Sequence, residues 1–455
     1  MKKFKIMALT LLCLLLVISV VFTGCKTTSS SSGEAGDKTE AAETQAAAKE
    51  GVTLHMLMED IPATHAVEKL LPEFTAATGI NVEFEIVQYM DMHQKLVTNF
   101  MSPTGQYDVI EVDNYWAGEF PATGWIIPLD DYIKRDNFDV SVYIPAMMDM
   151  VGYYPRTGDN KQIYMLPIYS YSMGLLYRED LLNDPDLQKA YKELYNQDLK
   201  VPASLDEYVQ QCQFMQENAG VSGSAMQAGR GDPIVMEWSN YLFALGGDYY
   251  DENWNAIIND EKGVKAVELY KANIEKGSPE GALSFALDDA LRIMSQGQAY
   301  SMISYIIMLP LLTDPEQSSV AESTRMIPMP GDKGLAGGWG WAIAANSQYQ
   351  DESWEFIKWV ESAEIAKKRA LDDSTPARID VCEDADVIAK YPIYPTMLEV
   401  ISHSKPVPEF LYSAEMVEIV GRELSLICSG EKSAQEGLDL AAKELDELAV
   451  KAKLK

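Results

Sequence analysis

Three stretches of the 455-residue chain gather side chains suited to holding a small polar molecule: Glu59-Asp60, Asp113-Asn114-Tyr115-Trp116 and Gly337-Gly338-Trp339-Gly340-Trp341. Together they offer carboxylates, an amide and indole rings. A pyranose presents apolar C–H faces that stack on Trp and Tyr, and hydroxyls that pair with Asp, Glu, Asn and Arg, so this is the chemistry of sugar recognition. In the third stretch the glycines remove bulk around two tryptophans, which suits ring faces presented in a cleft. Residues 164–184 add four tyrosines, Tyr164, Tyr169, Tyr171 and Tyr177, among Leu, Ile and Met, with no charge before Arg178. Those rings fill a core or line a cleft; taken alone the core reading is the stronger, because most aromatic runs are buried.

Catalytic and metal-binding signatures are missing. There is no HExxH, and His55, His65, His93 and His403 are scattered, which argues against zinc. Gly220-Val221-Ser222-Gly223-Ser224 lacks the last glycine of a nucleophile elbow. Gly338-Trp339-Gly340 lacks the third glycine of a dinucleotide fingerprint. The stretch from Asp251 begins like a calcium loop but has Ala256 where the turn needs glycine and Lys262 where a bidentate Glu belongs. Arg230-Gly231-Asp232 reads as a turn. A carboxylate pair chosen from so acidic a chain would be arbitrary. No catalytic residue, metal site or cofactor is expected.

The elements that must position these residues follow from periodicity. Val52, Leu54, Met56 and Met58 alternate as a strand. From Pro62, helical spacing of Val67, Leu70, Leu71 and Phe74 runs to a stop at Gly79. Val82, Phe84 and Ile86 alternate again, completing a strand–helix–strand crossover unit. Met92, Leu96 and Phe100 mark a second helix, and residues 107–112 a third strand. Glu59-Asp60 and residues 113–116 thus fall at the carboxyl ends of strands, where open parallel sheets bind ligands. Residues 125–156 read as irregular surface. Later helices include one opened by a capping box at Ser204, with Cys212 facing inward, and a last one opened at Ser433.

Composition sets the compartment. Lys2, Lys3 and Lys5 precede an apolar run at 6–22 that stops at Thr23-Gly24-Cys25, resembling a bacterial lipoprotein signal in which Cys25 is lipid-modified; a plain signal peptide or a retained helix is the alternative. Residues 25–50 are rich in Ser, Thr, Ala and Glu and read as a disordered tether. Removing the signal takes the formal charge from −32 to −35, which disfavours nucleic acid. Cys212, Cys382 and Cys428 show no metal or framework spacing, and one disulfide among them stays open.

Pro167-Ile168 followed by Gly174-Leu175-Leu176-Tyr177-Arg178-Glu179-Asp180-Leu181-Leu182 resembles the signature of the family 1 extracellular solute-binding proteins, the lipid-anchored sugar receptors of ABC importers, with Arg178 replacing the commoner Asn or Asp. Residues 107–112 with Gly124-Trp125 and Pro128-Leu129-Asp130 are similar to the first-lobe strand and loop. Leu245-Gly246-Gly247-Asp248 with Gly263-Val264-Lys265-Ala266 is similar to second-lobe helices, and residues 338–343 and Thr375-Pro376-Ala377-Arg378 to two interlobe crossings. The resemblance covers nearly all of 51–455. It implies an α/β, two-lobe periplasmic-binding-protein-like fold of type II, with three crossings near 169–174, 337–345 and 374–380 and a ligand trapped between lobes by hinge closure. The implied lobes are 51–170 with 338–376, and 171–337 with 377–455, after a signal peptide at 1–24.

Carried over by position, ligand contacts are expected from Glu59, Asp60, Asp113, Asn114, Trp116, Tyr169, Tyr171, Arg230, Trp238, Trp339, Trp341 and Arg378. Stacking is expected of Trp116, Tyr171 and Trp339 or Trp341, with core packing as the alternative. An interlobe ion pair or a turn anchor would equally explain Arg230 or Arg378, and a helix cap Glu59 or Asp60. The implied protein is a monomeric, non-enzymatic receptor, tethered through Cys25 to the outer face of the cell membrane, that passes a sugar or sugar alcohol to permease subunits. The rivals are a surface glycoside hydrolase and a receptor for a peptide, polyamine or oxyanion.

Overall fold

In the computed structural model, which describes residues 51–155 and 160–455, the first alternating segment forms strand β1 (Thr53–Glu59). The signal, Cys25 and the tether lie outside the described residues. All described residues belong to one compact unit spanning 48–455. No helix among them is long and apolar enough to cross a membrane.

Strands β2 (Asn81–Val87) and β3 (Val109–Asp113) pair in parallel with β1, as the crossover pattern requires. The segment between β1 and β2 is two helices, Pro62–Glu68 and Leu71–Thr78, where the sequence reads as one. The reason is Pro72, whose ring cannot coexist with the carbonyl four residues back in a continuous helix. Gly79 closes the second helix at φ 75°, a conformation that favours glycine.

Strand β4 (Leu166–Ser170) completes the first sheet and strand β5 (Met173–Arg178) begins the second. The second sheet also takes β6 (Ser222–Ser224), β7 (Ala299–Tyr305) and β8 (Thr324–Ile327). Strand β9 (Gly338–Ile343) then returns to the first. The spatial orders are β2-β1-β3-β9-β4 and β8-β5-β7-β6. In the first, β9 lies antiparallel between β3 and β4. Ser204 and Ser433 cap their helices, accepting from the amides of Glu207 and Glu436 at 3.2 Å each.

The chain passes between the lobes three times. Tyr171-Ser172 link β4 to β5, and Ala336-Gly337 lead into β9. The third passage begins at Pro376, bridged to Tyr169, and ends at Ser404–Lys405, which pairs with Gly334–Leu335. The crossings touch: a Cβ on Gly337 would sit 1.9 Å from the Tyr171 ring.

Residues 125–155 are not irregular surface. They hold a helix at Asp130–Asp136 and a wide, π-helical turn at Met148–Gly152, and Met147, Met150 and Val151 are fully buried. These side chains press on β9, where a Cβ on Gly338 would meet the Met147 methyl at 2.6 Å. Methionine fills such gaps without imposing a strict period. Cys212, Cys382 and Cys428 are buried free thiols, which answers the disulfide question for the described residues.

Candidate functional site

Strands β1 and β3 end together, and their last acidic residues meet. Glu111, buried, accepts the Glu59 amide at 3.0 Å and the Tyr169 hydroxyl at 3.0 Å. Asp113, also buried, accepts the Tyr115 amide and the Tyr171 hydroxyl, each at 2.9 Å. The helix after β2, Tyr89–Phe100, starts with a ring that lies parallel to Trp116 at 5.8 Å and edge-on to Trp339 at 5.9 Å. Trp116 meets Trp339 edge-on at 5.4 Å. Such edge and offset contacts suit the ring quadrupoles and fix the cluster.

The second lobe contributes Asp232, at the start of the helix Asp232–Ala244, and Tyr305, at the end of β7, 5.7 Å from the Tyr171 ring. The charges of Asp113 and Asp232 both act on the hydroxyls of Tyr89, Tyr115 and Tyr305, which places carboxylates of both lobes around one group of phenols. Desolvation raises the Glu59 carboxyl to about 8, with Glu111 adding to it, and Glu111 and Asp113 to about 7. Asp232 is open to solvent, yet surrounding protein pushes it up to about 6. A group facing a narrow water-filled cleft meets both conditions. None of these four carboxylates has a basic partner among the described residues, and Glu111 and Asp113 are held by hydroxyl and amide donors alone.

Beside this group lies a cavity of about 870 Å³. Its walls include residues 61–63 after β1, Tyr169 of β4, Ile307, Met308, Pro310 and Leu311 after β7 and residues 390–393 of the third crossing. A smaller hollow of about 280 Å³ opens between Tyr89, Trp116, Asp232 and Phe410. A polar hollow of about 860 Å³, between Glu85, Lys95 and Tyr107, is formed by the first lobe alone.

The structure brings Glu59, Asp113, Trp116, Tyr169, Tyr171 and Trp339 together. Trp339 and Trp116 are 2% and 7% exposed, their faces covered by other rings, so the ring open to the cleft is Tyr89, at 36%. Asp60 is exposed and neither contacts this group nor caps a helix; it meets His65 Nε2 at 3.0 Å and accepts from Gln88 at 3.1 Å. Asn114 is a brace, not a ligand donor: it is buried, accepts the Gly338 amide at 3.1 Å and the Tyr171 hydroxyl, and donates to Glu409 at 3.0 Å.

Four expected contacts are placed elsewhere. Strand β9 starts at the cleft edge with Trp339 opposite Asp113 and runs away from it. Trp341 therefore lies about 7 Å deeper, fully buried against Phe356 and donating to Glu361 at 2.9 Å. Trp238 sits about 9 Å along its helix from Asp232, fully buried in the second core. Arg378 is buried, bonded to the Glu361 carbonyl at 2.7 Å and paired with Asp380 at 2.6 Å. Arg230 is exposed and faces Glu418 at 3.6 Å.

Sequence reasoning missed Tyr89, Glu111, Asp232, Tyr305 and the walls at 307–311. The strand-end rule applied to residues 299–305 would have found Tyr305 and the wall residues just beyond it. Asp232 was hidden in a turn reading, and nothing in the pattern of helix Tyr89–Phe100 marks its first ring.

Two α/β lobes, three crossings and facing walls of rings and carboxylates define a cleft-type receptor for a small solute. The pattern of the bacterial extracellular solute-binding protein family matches residues 61–367, and the chain belongs to that family. A probable amino-acid ABC transporter periplasmic-binding protein of Sinorhizobium fredii is 26% identical over 367 residues, 76% of this chain and 78% of that protein. A mannitol-binding protein of Pseudomonas aeruginosa is 23% identical over 299 residues, 63% of this chain and 64% of that one. The crystal structure of an ABC transporter solute-binding protein from Agrobacterium radiobacter in complex with ribitol matches with a TM-score of 0.75 at 25% identity, covering 88% of this chain and all of that one. The chain is an ABC transporter solute-binding protein, an extracytoplasmic receptor and not an enzyme. The hydrolase alternative falls with that assignment.

Proposed function

We propose that this receptor captures a polyhydroxylated solute, a sugar or sugar alcohol, by closure of its lobes and delivers it to a permease, held to the outer face of the membrane by a lipid on Cys25. The observation that carries the reading is the set of carboxylates without basic partners among the described residues, Glu59, Glu111, Asp113 and Asp232, with tyrosine hydroxyls among them. Carboxylates and phenols in a desolvated cleft are strong acceptors for solute hydroxyls, and Tyr89 offers a ring for a C–H face. The mannitol-binding and ribitol-bound relatives support the same chemistry.

The name of the Sinorhizobium relative suggests an amino acid instead. An amino acid would need a cationic partner for its own carboxylate, and among the described residues this group offers acidic side chains and phenols and no basic one.

The test is a thermal-shift screen of residues 51–455 against monosaccharides, oligosaccharides, glycosides and polyols, with amino acids and polyamines as controls. A solute at 100 times its Kd adds about 2.7 kcal/mol of stability. A shift confined to carbohydrates or polyols supports the reading, and a shift confined to amino acids or polyamines sinks it.

A further inference from the structure

The cavity of about 870 Å³ does not have the walls that a bare sugar or sugar alcohol needs. Its volume is near the top of the range of about 300–1,000 Å³ for small-molecule sites. Most of its exposed wall is apolar, supplied by Ile61, Ile307, Met308, Leu311 and Ile393 with three prolines. Those five side chains are partly exposed, so their apolar surface is free.

The polar side chains of the wall are already engaged. Asp314 accepts from Gln317 at 2.8 Å and from the Glu316 amide at 2.9 Å. Arg325 pairs with Glu179 at 2.8 Å. The Lys390 ammonium donates to the Leu371 carbonyl, and the Tyr391 hydroxyl to Asp373. The Tyr169 hydroxyl is taken up by Glu111. A hydroxyl-rich group placed here would give up its water for few new hydrogen bonds, whereas a hydrocarbon group would lose nothing polar and cover the exposed aliphatic surface. Tyr169 joins the two regions, since its hydroxyl binds the acidic group and its ring lines the cavity.

We propose that the cargo is a two-part molecule: a polyhydroxylated head held at Glu59, Asp113 and Asp232, joined to an aryl or alkyl group that fills the cavity behind Tyr169. The chemical class is a glycoside with an apolar aglycone. This rests on the carbohydrate reading of the same cleft and narrows it.

The experiment is calorimetric titration of residues 51–455 with matched methyl and phenyl glycosides of the common hexoses, alongside mannitol, ribitol and linear oligosaccharides. For at least one hexose the phenyl glycoside is expected to bind about ten-fold or more tightly than the methyl glycoside. Ile61→Asn, on the first lobe, and Met308→Lys, on the second, each remove apolar wall. Position 61 is the N-cap of the helix Pro62–Glu68, where Asn is favoured, so this variant is expected to fold even if the other does not. Each folded variant is expected to lose most of the phenyl preference and keep the methyl glycoside affinity. Equal binding of methyl and phenyl glycosides, a phenyl preference untouched by both variants, or an oligosaccharide gaining as much as the phenyl group would overturn the inference and leave the carbohydrate reading standing. Failure of every carbohydrate and polyol to bind, with an amino acid or polyamine binding instead, would overturn both.

Discussion

Asn114 ties all three crossings to one buried amide. Its side-chain oxygen accepts the Gly338 amide of the second crossing at 3.1 Å and the Tyr171 hydroxyl of the first. Its nitrogen donates to Glu409, downstream of the third, at 3.0 Å. In Asn114→Ala the Gly338 amide is left buried without an acceptor, at about 1–3 kcal/mol, and Glu409 loses a charge-assisted bond, at about 1.5–3 kcal/mol. Tyr171 keeps its bond to Asp113, so it adds little. The expected loss is about 3–5 kcal/mol, a large share of the 5–15 kcal/mol by which proteins are folded. Asn114→Asp separates the two roles, because it keeps the acceptor but turns a carboxylate toward Glu409. Two facing buried carboxylates repel, so the folded pKa of the introduced carboxyl rises above the unfolded value. The stability of this variant is then fully present below the unfolded carboxylate pKa and lost as pH rises through the folded one. The assay is urea unfolding of residues 51–455 followed by tryptophan fluorescence at pH 5 and pH 8. Asn114→Ala within 1 kcal/mol of the native protein, or Asn114→Asp with no greater loss at pH 8 than at pH 5, would refute the reasoning.

Further outcomes follow from the site and the cores. Tyr89→Ala should weaken carbohydrate binding by about 1 kcal/mol, roughly five-fold, whereas Trp341→Ala should leave affinity intact and lower stability by about 3–5 kcal/mol; calorimetry and urea unfolding of the same two proteins check the contrast. Glu237 is fully buried without a basic partner among the described residues, and burial raises its carboxyl from 4.5 to about 8. Its contribution is therefore present below about pH 4.5 and lost as pH rises toward 8. Glu237→Gln should recover roughly 3–5 kcal/mol at pH 8 relative to pH 5, read from unfolding curves at both values. Cys25→Ala in the full chain should move the protein from the membrane fraction to the medium or periplasm, and a protein still sedimenting with membranes would count against the lipid anchor.

Much of the architecture is legible in the chain because the first lobe's strands alternate cleanly. Val52 to Met58 and Val82 to Ile86 carry period-two patterns, and the carboxyl-end rule then points to Glu59 and Asp113 from the sequence alone. Depth is what the pattern cannot supply. Trp339 and Trp341 read as equals, yet one lies at the cleft edge and the other under the helix Gln350–Val360, because only pairing fixes how far a strand has run from its edge. Trp238 misleads in the same way, being two helical turns from the end that reaches the cleft. The methionines at 147 and 150 escape notice because Pro145 and Gly152 break their segment into pieces too short to show a period, while the core they fill is made by β9, almost 190 residues later in the chain.

The acidity of the cleft looks at first like a reason to expect a cation, and the hydrogen bonds argue otherwise. Glu111 spends both oxygens on the Glu59 amide and the Tyr169 hydroxyl, and Asp113 takes the Tyr115 amide and the Tyr171 hydroxyl on Oδ1, so both carboxyls belong to a fixed network. Burial and mutual repulsion hold the carboxyls of Glu59, Glu111 and Asp113 near or above neutrality, where a protonated carboxyl donates as well as accepts. A solute hydroxyl also does both, so it can exchange partners with such a group without creating an unpaired charge. An ammonium can only donate, so at Glu111 and Asp113 it would compete with the amides and phenols already bound there. In the proposed reading the cleft takes hydroxyls on one side of Tyr169 and hydrocarbon on the other, and the cargo carries the two chemistries in one molecule.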